Sequence, residues 1–307
     1  MTQLTTQEVL TQLRAGQSLQ QAELSGIDLN NTCVDEGGFA EAYLRRAQFV
    51  KASCQETNFV GATLIMADFQ QADLQRSRLA NAILTHAHLE HSNLGQVQAN
   101  GAKFYGAFLS GADGPNAVFD EADFREANGD AFRFQRASFV GAGFNRVSFS
   151  AASFEGARLV RSQWQQANVT ETSFVRADLE RAFLGEAALT GCDLSQINGL
   201  KSDFRKADLT RARFGKAQLD WATLVNARLV ETHFQAASLF NTDLTGATLK
   251  GTDFTGADLR DACLEKATLE GVCFTDSRVQ GALFTDAVGL SAEQKTWLKK
   301  NGGLNIE

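Results

Sequence analysis

Histidine is scarce in this chain of 307 residues, and three of its four copies fall in one stretch, Thr85-His86-Ala87-His88-Leu89-Glu90-His91. Imidazoles beside a carboxylate suit a transition metal, and Asp68 precedes His88 by twenty residues. A structural zinc site needs four converging ligands. His88 and His91 flank Leu89, a core centre, and no closed tetrahedral set is evident, so His86, His88 and His91 read as a solvated cluster with no metal assigned. The five cysteines (Cys33, Cys54, Cys192, Cys263 and Cys273) show no paired spacing and read as reduced thiols of a cytoplasmic protein. Gly-x-Ser-x-Gly, P-loop and dinucleotide fingerprints are absent. The acidic residues are dispersed, and nothing supports a general acid–base pair. The expectation is no catalytic residue, no cofactor and no enzyme.

The elements that must position these residues follow one register. From Leu24 to Phe284 every fifth residue, 53 positions in all, is Leu or Phe except at Val34, Cys54, Ala99, Gly114, Gly129, Trp164, Val169, Gly199 and Val279. Two residues before each centre runs a second column, mostly Ala, as in Ala42, Ala47, Ala52, Ala62, Ala67 and Ala72. The other three positions are mostly polar. A period of five matches neither a helix face nor a strand. It requires a chain that turns a corner every five residues and buries one large and one small side chain each time, which is a solenoid.

The ends differ. Thr5-x-x-Glu8 forms a capping-box pattern, followed by Val9, Leu10 and Leu13 at helical spacing and Gly16 as a stop. Ser291-x-x-Gln294 repeats the pattern before Trp297 and Leu298, and Asn301-Gly302-Gly303 ends that helix. The expected division is an N-terminal capping helix over 1–19, a solenoid over 20–287, and a C-terminal capping helix and tail over 288–307. The first ten residues lack the basic start and apolar run of a secretory signal. No stretch is apolar for the ~20 residues of a membrane span.

Units such as Ala72-Asp73-Leu74-Gln75-Arg76, Ala207-Asp208-Leu209-Thr210-Arg211 and Ala257-Asp258-Leu259-Arg260-Asp261 resemble the A(D/N)LXX motif of the pentapeptide-repeat family. The resemblance implies an all-β solenoid, a right-handed quadrilateral β-helix with four units to a coil. The 53 units would then make about 13 coils at the ~4.8 Å spacing of stacked strands. The resemblance brings three functional expectations. Members of the family include DNA mimics that act on type II topoisomerases, proteins that dimerise through the C-terminal end, and accessories or effectors of bacterial secretion systems.

Four centres are too small for the pattern. Val97 before Ala99 and Ile197 before Gly199 suggest exchange of volume between the two columns. Gly114, Gly129 and the single proline, Pro115, mark residues 97–132 as a bent or loosened segment, with Phe119, Phe134 and Phe149 placed one coil later to lean into the gaps. On the outside, Val140, Val160, Leu200 and Phe240 share one column, and Trp221 borders it. Exposed aromatic and aliphatic residues of this kind mark a protein-partner site. Trp297 and Leu298 are candidates for a cap or a homodimer contact. The net charge of −7 argues against direct nucleic-acid binding, which favours a basic stripe. A DNA mimic would need a concentrated acidic column, yet Arg and Lys are mixed into every face. A protein-interaction scaffold or adaptor is the leading expectation.

Overall fold

The computed structural model describes residues 4–307, so residues 1–3 of the expected cap over 1–19 lie outside the described residues. Contacts divide the chain into two compact units, Met1–Arg158 and Leu159–Glu307. Both are parallel β-helices. In the first, single-residue bridges join the residue before a centre to the one twenty later, from Glu23 with Tyr43 to Ser138 with Arg158. In the second they run from Gln163 with Phe183 to Thr268 with Val288.

One quintet shows why five residues make one side of the coil. Around the centre Leu244, Thr242 N–H donates to Leu239 O (3.1 Å) and closes the preceding corner. Asp243 N–H donates back to Ala222 O (2.9–3.0 Å range in neighbouring quintets, 3.0 Å here), and Leu244 N–H donates forward to Cys263 O (2.7 Å). Gly246 N–H reaches Glu265 O (2.8 Å). Four of the five backbone donors are thereby used in the ladder or the corner. The fifth, Thr245 N–H, is taken by the Asp243 side chain (3.0 Å). This explains why Asp or Asn precedes so many centres, since the carboxylate or amide oxygen accepts from a donor that the coil leaves over. In other coils the same donor is met by an outward side chain one coil earlier, as when Asp220 Oδ1 accepts from Phe240 N–H (3.3 Å).

The corner is a β-turn with a left-handed third residue, the feature of type II turns. Glycine supplies it at Gly246 (φ 67°), but most corners use ordinary residues, for example Arg211 (φ 58°) and Trp221 (φ 61°). Each such residue costs on the order of 1 kcal/mol. The cost is accepted because its N–H joins the ladder and both columns become buried. Centres from Leu24 to Leu269 and nearly all the alanines between them are 0–2% exposed. The register also begins one unit earlier than the sequence pattern places it, because Leu19 is 3% exposed and its N–H donates to Gly38 O (2.8 Å). Where Ser or Thr replaces Ala in the small column, most of the hydroxyls find a carbonyl, as in Thr242 Oγ1 to Leu219 O (2.8 Å), whereas Ser77 Oγ is buried without a partner. The indole N–H of the buried centre Trp164 donates to Ser162 Oγ (2.8 Å).

Pro115 is not the ladder defect that the sequence suggests. It occupies the position whose N–H the ladder does not use, and its carbonyl still accepts from Gln96 N–H (3.0 Å). Gly114 N–H donates to Arg133 O (2.8 Å) and Ala99 N–H to Val118 O (2.7 Å), so the ladder persists across the small centres. Phe134 does lean into the gap at Gly114, since a Cβ there would collide with its ring. At Gly129 backbone closes in instead, since a Cβ there would lie 2.8 Å from Leu109 C and Ser110 N. Phe132 takes an alanine position, is fully buried, and meets Phe149 edge-on at 4.6 Å. Here the bridges lengthen into two short strands, β1 (Asn128–Asp130) and β2 (Ser148–Ser150), paired in parallel.

Helix α1 (Thr6–Arg14) starts with the expected capping box at Thr5 and Glu8 and buries Val9. Thr6 Oγ1 donates to Asp28 O of the first coil (2.7 Å). Helix α2 (Ala292–Lys300) has its box at Ser291 and Gln294 and buries Leu298. Gln294 Nε2 donates to Val272 O (2.7 Å). The chain then returns to the ladder, where Leu304 pairs with Leu283.

Asp258 shows how the outer groups are fixed. Its carboxylate is nearly buried, 9% exposed, and pairs with both Arg260 (2.8 Å) and Arg278 (2.6 Å). Burial alone would raise its pKa, but the hydrogen bonds from Arg260 and the charges of Arg278 and Arg260 hold it below the usual carboxylate value.

Four outcomes are expected. Lys250→Pro, at the unused donor position, should change stability by no more than about 1 kcal/mol. Gly251→Pro, which loses a 2.8 Å ladder bond and cannot adopt φ 68°, should cost about 3 kcal/mol or more in denaturant unfolding. Phe132→Ala should cost roughly 3–5 kcal/mol and speed amide exchange around β1 and β2. Asp258→Asn should cost roughly 1–2 kcal/mol at neutral pH, allowing for the exposed guanidinium groups. Because the folded pKa lies below the unfolded value of ~3.9, that difference is full above it and disappears as the pH falls further. Equal acid sensitivity of the two proteins would contradict the assignment.

Candidate partner-binding surfaces

Three positions of each quintet face outward: the one before the centre, the one after it, and the left-handed corner. The histidines occupy such positions, and the structure does not bring them together. The His86 ring lies over the Gly106 corner, where Nδ1 is 3.4 Å from Gly106 O, and it meets Tyr105 edge-on. His88 stacks on Phe108 at 4.6 Å and contacts Glu90 through Nδ1 at 3.1 Å. His91 lies against the Gly111 corner. Each ring is thus spent on the coil above it. Among the described residues, no group of three or more His, Cys, Asp or Glu side chains is placed to hold a metal ion.

All five cysteines are free. Cys54 and Cys192 are buried in the core columns, and burial pushes the Cys192 thiol up to about 12. A thiol so raised is a poor nucleophile at neutral pH. Cys33 is exposed, while Cys263 and Cys273 are half-buried.

Of the expected partner residues, Val140 in the first unit is half-buried, and its N–H is held by Asp120 Oδ1 at 2.9 Å. In the second unit Val160, Leu200 and Phe240 are half-buried, whereas Trp221 is 55% exposed. Trp221 and Phe240 meet edge-to-face, with centroids 6.1 Å apart and planes at 86°. Trp221 N–H donates to Phe240 O (3.0 Å), which locks the corner under the indole. The guanidinium of Arg260 lies 5.7 Å from the centre of the Phe240 ring. Asp258 holds Arg260 through Nε (2.9 Å) and Nη2 (2.8 Å). Asp220 accepts from the Ser238 hydroxyl and from Phe240 N–H. The structure therefore joins Trp221, Phe240 and Arg260 into one rigid patch. Glu180 and Asp220 interrupt the rest of the column.

Arg260 was not among the residues singled out from sequence, because the register shows its position but not its contact with a ring. Phe183 (42% exposed), Tyr43 (51%) and Met66 (38%) were also missed. Their signal was available, since each is an apolar residue at an outward position of its quintet.

At the C-terminal end Trp297 is half-buried and stacks on Phe274, with centroids 6.5 Å apart and planes at 20°. A shallow pocket beside them is lined by Thr275, Glu293 and Gln294. Leu298 is fully buried, so it packs within its own chain, while Val288 (57%) and Leu304 (47%) are exposed. No helix among the described residues is long and apolar enough to cross a membrane.

Comparison with known proteins agrees with the repeat chemistry. The family profile described as Pentapeptide repeats matches in eight copies, over residues 64–98, 92–128, 165–196, 202–240 and 237–276. Among solved structures, the chain is similar to HetL, a pentapeptide repeat protein involved in heterocyst differentiation regulation in the cyanobacterium Nostoc. That match has 23% identity and a TM-score of 0.21, and covers 92% of this chain and 94% of HetL. QnrB1, a plasmid-mediated fluoroquinolone resistance protein, is 18% identical over 69% of this chain and 95% of its own, with a TM-score of 0.28. A pentapeptide repeat protein of the Arabidopsis thaliana thylakoid lumen is 33% identical over 36% of this chain and 81% of its own, with a TM-score of 0.24. No protein of curated function matches the chain in sequence. With the profile spanning more than half of its residues, the chain belongs to the pentapeptide repeat family.

Proposed function

We propose that this protein is a non-catalytic interaction scaffold that binds protein partners through its outer faces. Its coils wind in the right-handed quadrilateral sense, and α1 and α2 cover the coils they pack on. The observation that carries the reading is the patch of Trp221, Phe240 and Arg260. An indole 55% exposed and propped edge-to-face on a second ring presents apolar area at little entropic cost. Trp and Arg are also the residues that most often dominate binding energy at interfaces. Val160 and Leu200 would extend the contact, and Val140 would offer a similar one on the first unit. The interior columns are filled by Leu, Phe and Ala, which leaves no room for a substrate. The free thiols suit a reducing, cytoplasmic setting.

A second contact is supported at the C-terminal end, where Trp297 and Phe274 stack beside the exposed Val288 and Leu304. We read it as a homodimer surface. The charge arrangement disfavours DNA mimicry toward a type II topoisomerase. Acidic groups are matched by basic ones one coil away, as in Arg213 with Asp193 (2.9 Å) and Arg211 with Glu231 (2.9 Å). Such pairs cancel the field that would imitate phosphate.

Trp221→Ser combined with Phe240→Ser should abolish or weaken by at least about tenfold the recovery of the partner that the unaltered protein captures, a loss of about 1.4 kcal/mol. The melting temperature should be little changed, because both side chains lie outside the core. Trp297→Ser should shift the mass in solution toward monomer and leave that capture intact. Unchanged capture in the double variant would refute the patch. Inhibition of gyrase supercoiling by the purified protein would restore the topoisomerase reading.

A further inference from the structure

Outward side chains stack in rows along each face, and one row of the second unit lacks a member. After the centres Trp164, Leu184 and Phe204 the row holds Gln165, Gly185 and Arg205. The missing side chain opens a groove of about 450 Å³, lined by Gln165, Phe183, Gly185, Glu186, Arg205 and Lys206 among others.

The groove holds one donor and one acceptor that the protein leaves unused. Gly185 N–H is the spare donor of its quintet, and it has no partner among the described residues. The residue before the centre, which in many other quintets is an accepting Asp or Asn, is here Phe183. Gln165 Oε1 is buried and has no hydrogen-bond partner. The Phe183 ring, 42% exposed, lines the same groove. The charged rim, in contrast, is satisfied internally. Arg205 is clamped on Asp203 (2.6 and 2.9 Å), Gln166 donates to Glu186 (3.1 Å), and Lys206 lies 3.9 Å from Glu186.

What remains to be matched is one free N–H, one buried oxygen and an apolar wall. The complement of that set is a planar amide beside an apolar side chain. A carbonyl would accept from Gly185, an N–H would donate to Gln165, and the apolar group would cover Phe183. We propose that this groove binds an extended peptide segment through one backbone amide group, with an apolar side chain seated on Phe183. A buried oxygen without a partner is unfavourable, and a peptide N–H is a donor that can relieve it. The groove adds a defined peptide chemistry to the scaffold reading and does not depend on the Trp221 patch.

The test uses the full chain, ¹⁵N-labelled, titrated with N-acetyl-leucine N-methylamide. Saturable shifts are expected at the Gly185 amide and the Gln165 side-chain amide. Gly185→Gln should remove them with the melting temperature unchanged. The same row already carries Gln165 and Arg205, and a Cβ at Gly185 would meet only Arg205 O, at 3.6 Å. Phe183→Ser should weaken binding several-fold, a second route should Gly185→Gln fail to fold. Trp221→Ser should leave the shifts intact, which separates this site from the patch. No response at Gly185, an unaltered response in Gly185→Gln, or the same shifts from sodium acetate would each overturn the proposal.

Discussion

One left-handed residue in every five sets this molecule. The corner turns the chain, the ladder bonds on both sides of the corner hold the next coil at strand spacing, and the interior columns follow from where the centres then point. Neither part suffices alone. Left-handed corners occupied by Arg, Glu or Trp are unfavourable in isolation, and bridges one residue long would not persist as separate strands. Their repetition makes each coil the template for the next, so that stability is nearly a sum over neighbours.

The same constraint divides what could be read in the sequence from what could not. The centres were legible because burial allows almost only Leu and Phe there. The alanine column was legible because most corners favour a small side chain, with exceptions such as Val97, Phe132 and Ile197. Both capping boxes were legible because they are local chemistry. Pro115 was misread because a proline is judged by the donor it removes, and the sequence does not reveal which donor in a quintet is spare. Around Gly129 the register places Phe149 one coil later, but it does not show that Phe132, in the alanine column, meets that ring edge-on. Packing across columns depends on side-chain direction and not on register. On the outside, the column of Val160, Leu200 and Phe240 was legible as a pattern. Its most important contact, Arg260 over Phe240, depends on a guanidinium fixed by Asp258 two residues away.

The outer surface follows a related economy. The oxygen before a centre serves the spare N–H, and in several quintets also an arginine, so many acidic groups are committed to the coil before any partner arrives. A face built this way is chemically quiet. Places that break the rule stand out against it: Trp221 at a corner, Phe183 where an acceptor would be, and Gly185 where a side chain would be.

The alternation of Asp and Asn before the centres has a consequence for how the protein ages. Asn93 and Asn198 accept a spare N–H through the side-chain oxygen (3.0 and 3.2 Å). Each also donates its amide NH₂ to the carboxylate one coil below, Asp73 and Asp178, at 2.9 Å. Spontaneous deamidation to Asp would leave the acceptor in place, and the corner with it. The donor would be lost, and two carboxylates would face each other across one rung, where like charges repel. Asn198 is followed by Gly199, and an Asn-Gly pair offers the least steric resistance to that reaction. Deamidation that yields Asp would therefore enter this fold as local charge repulsion between rungs, with the corners intact. The isoaspartate formed from the same succinimide would instead lengthen the backbone of the rung itself.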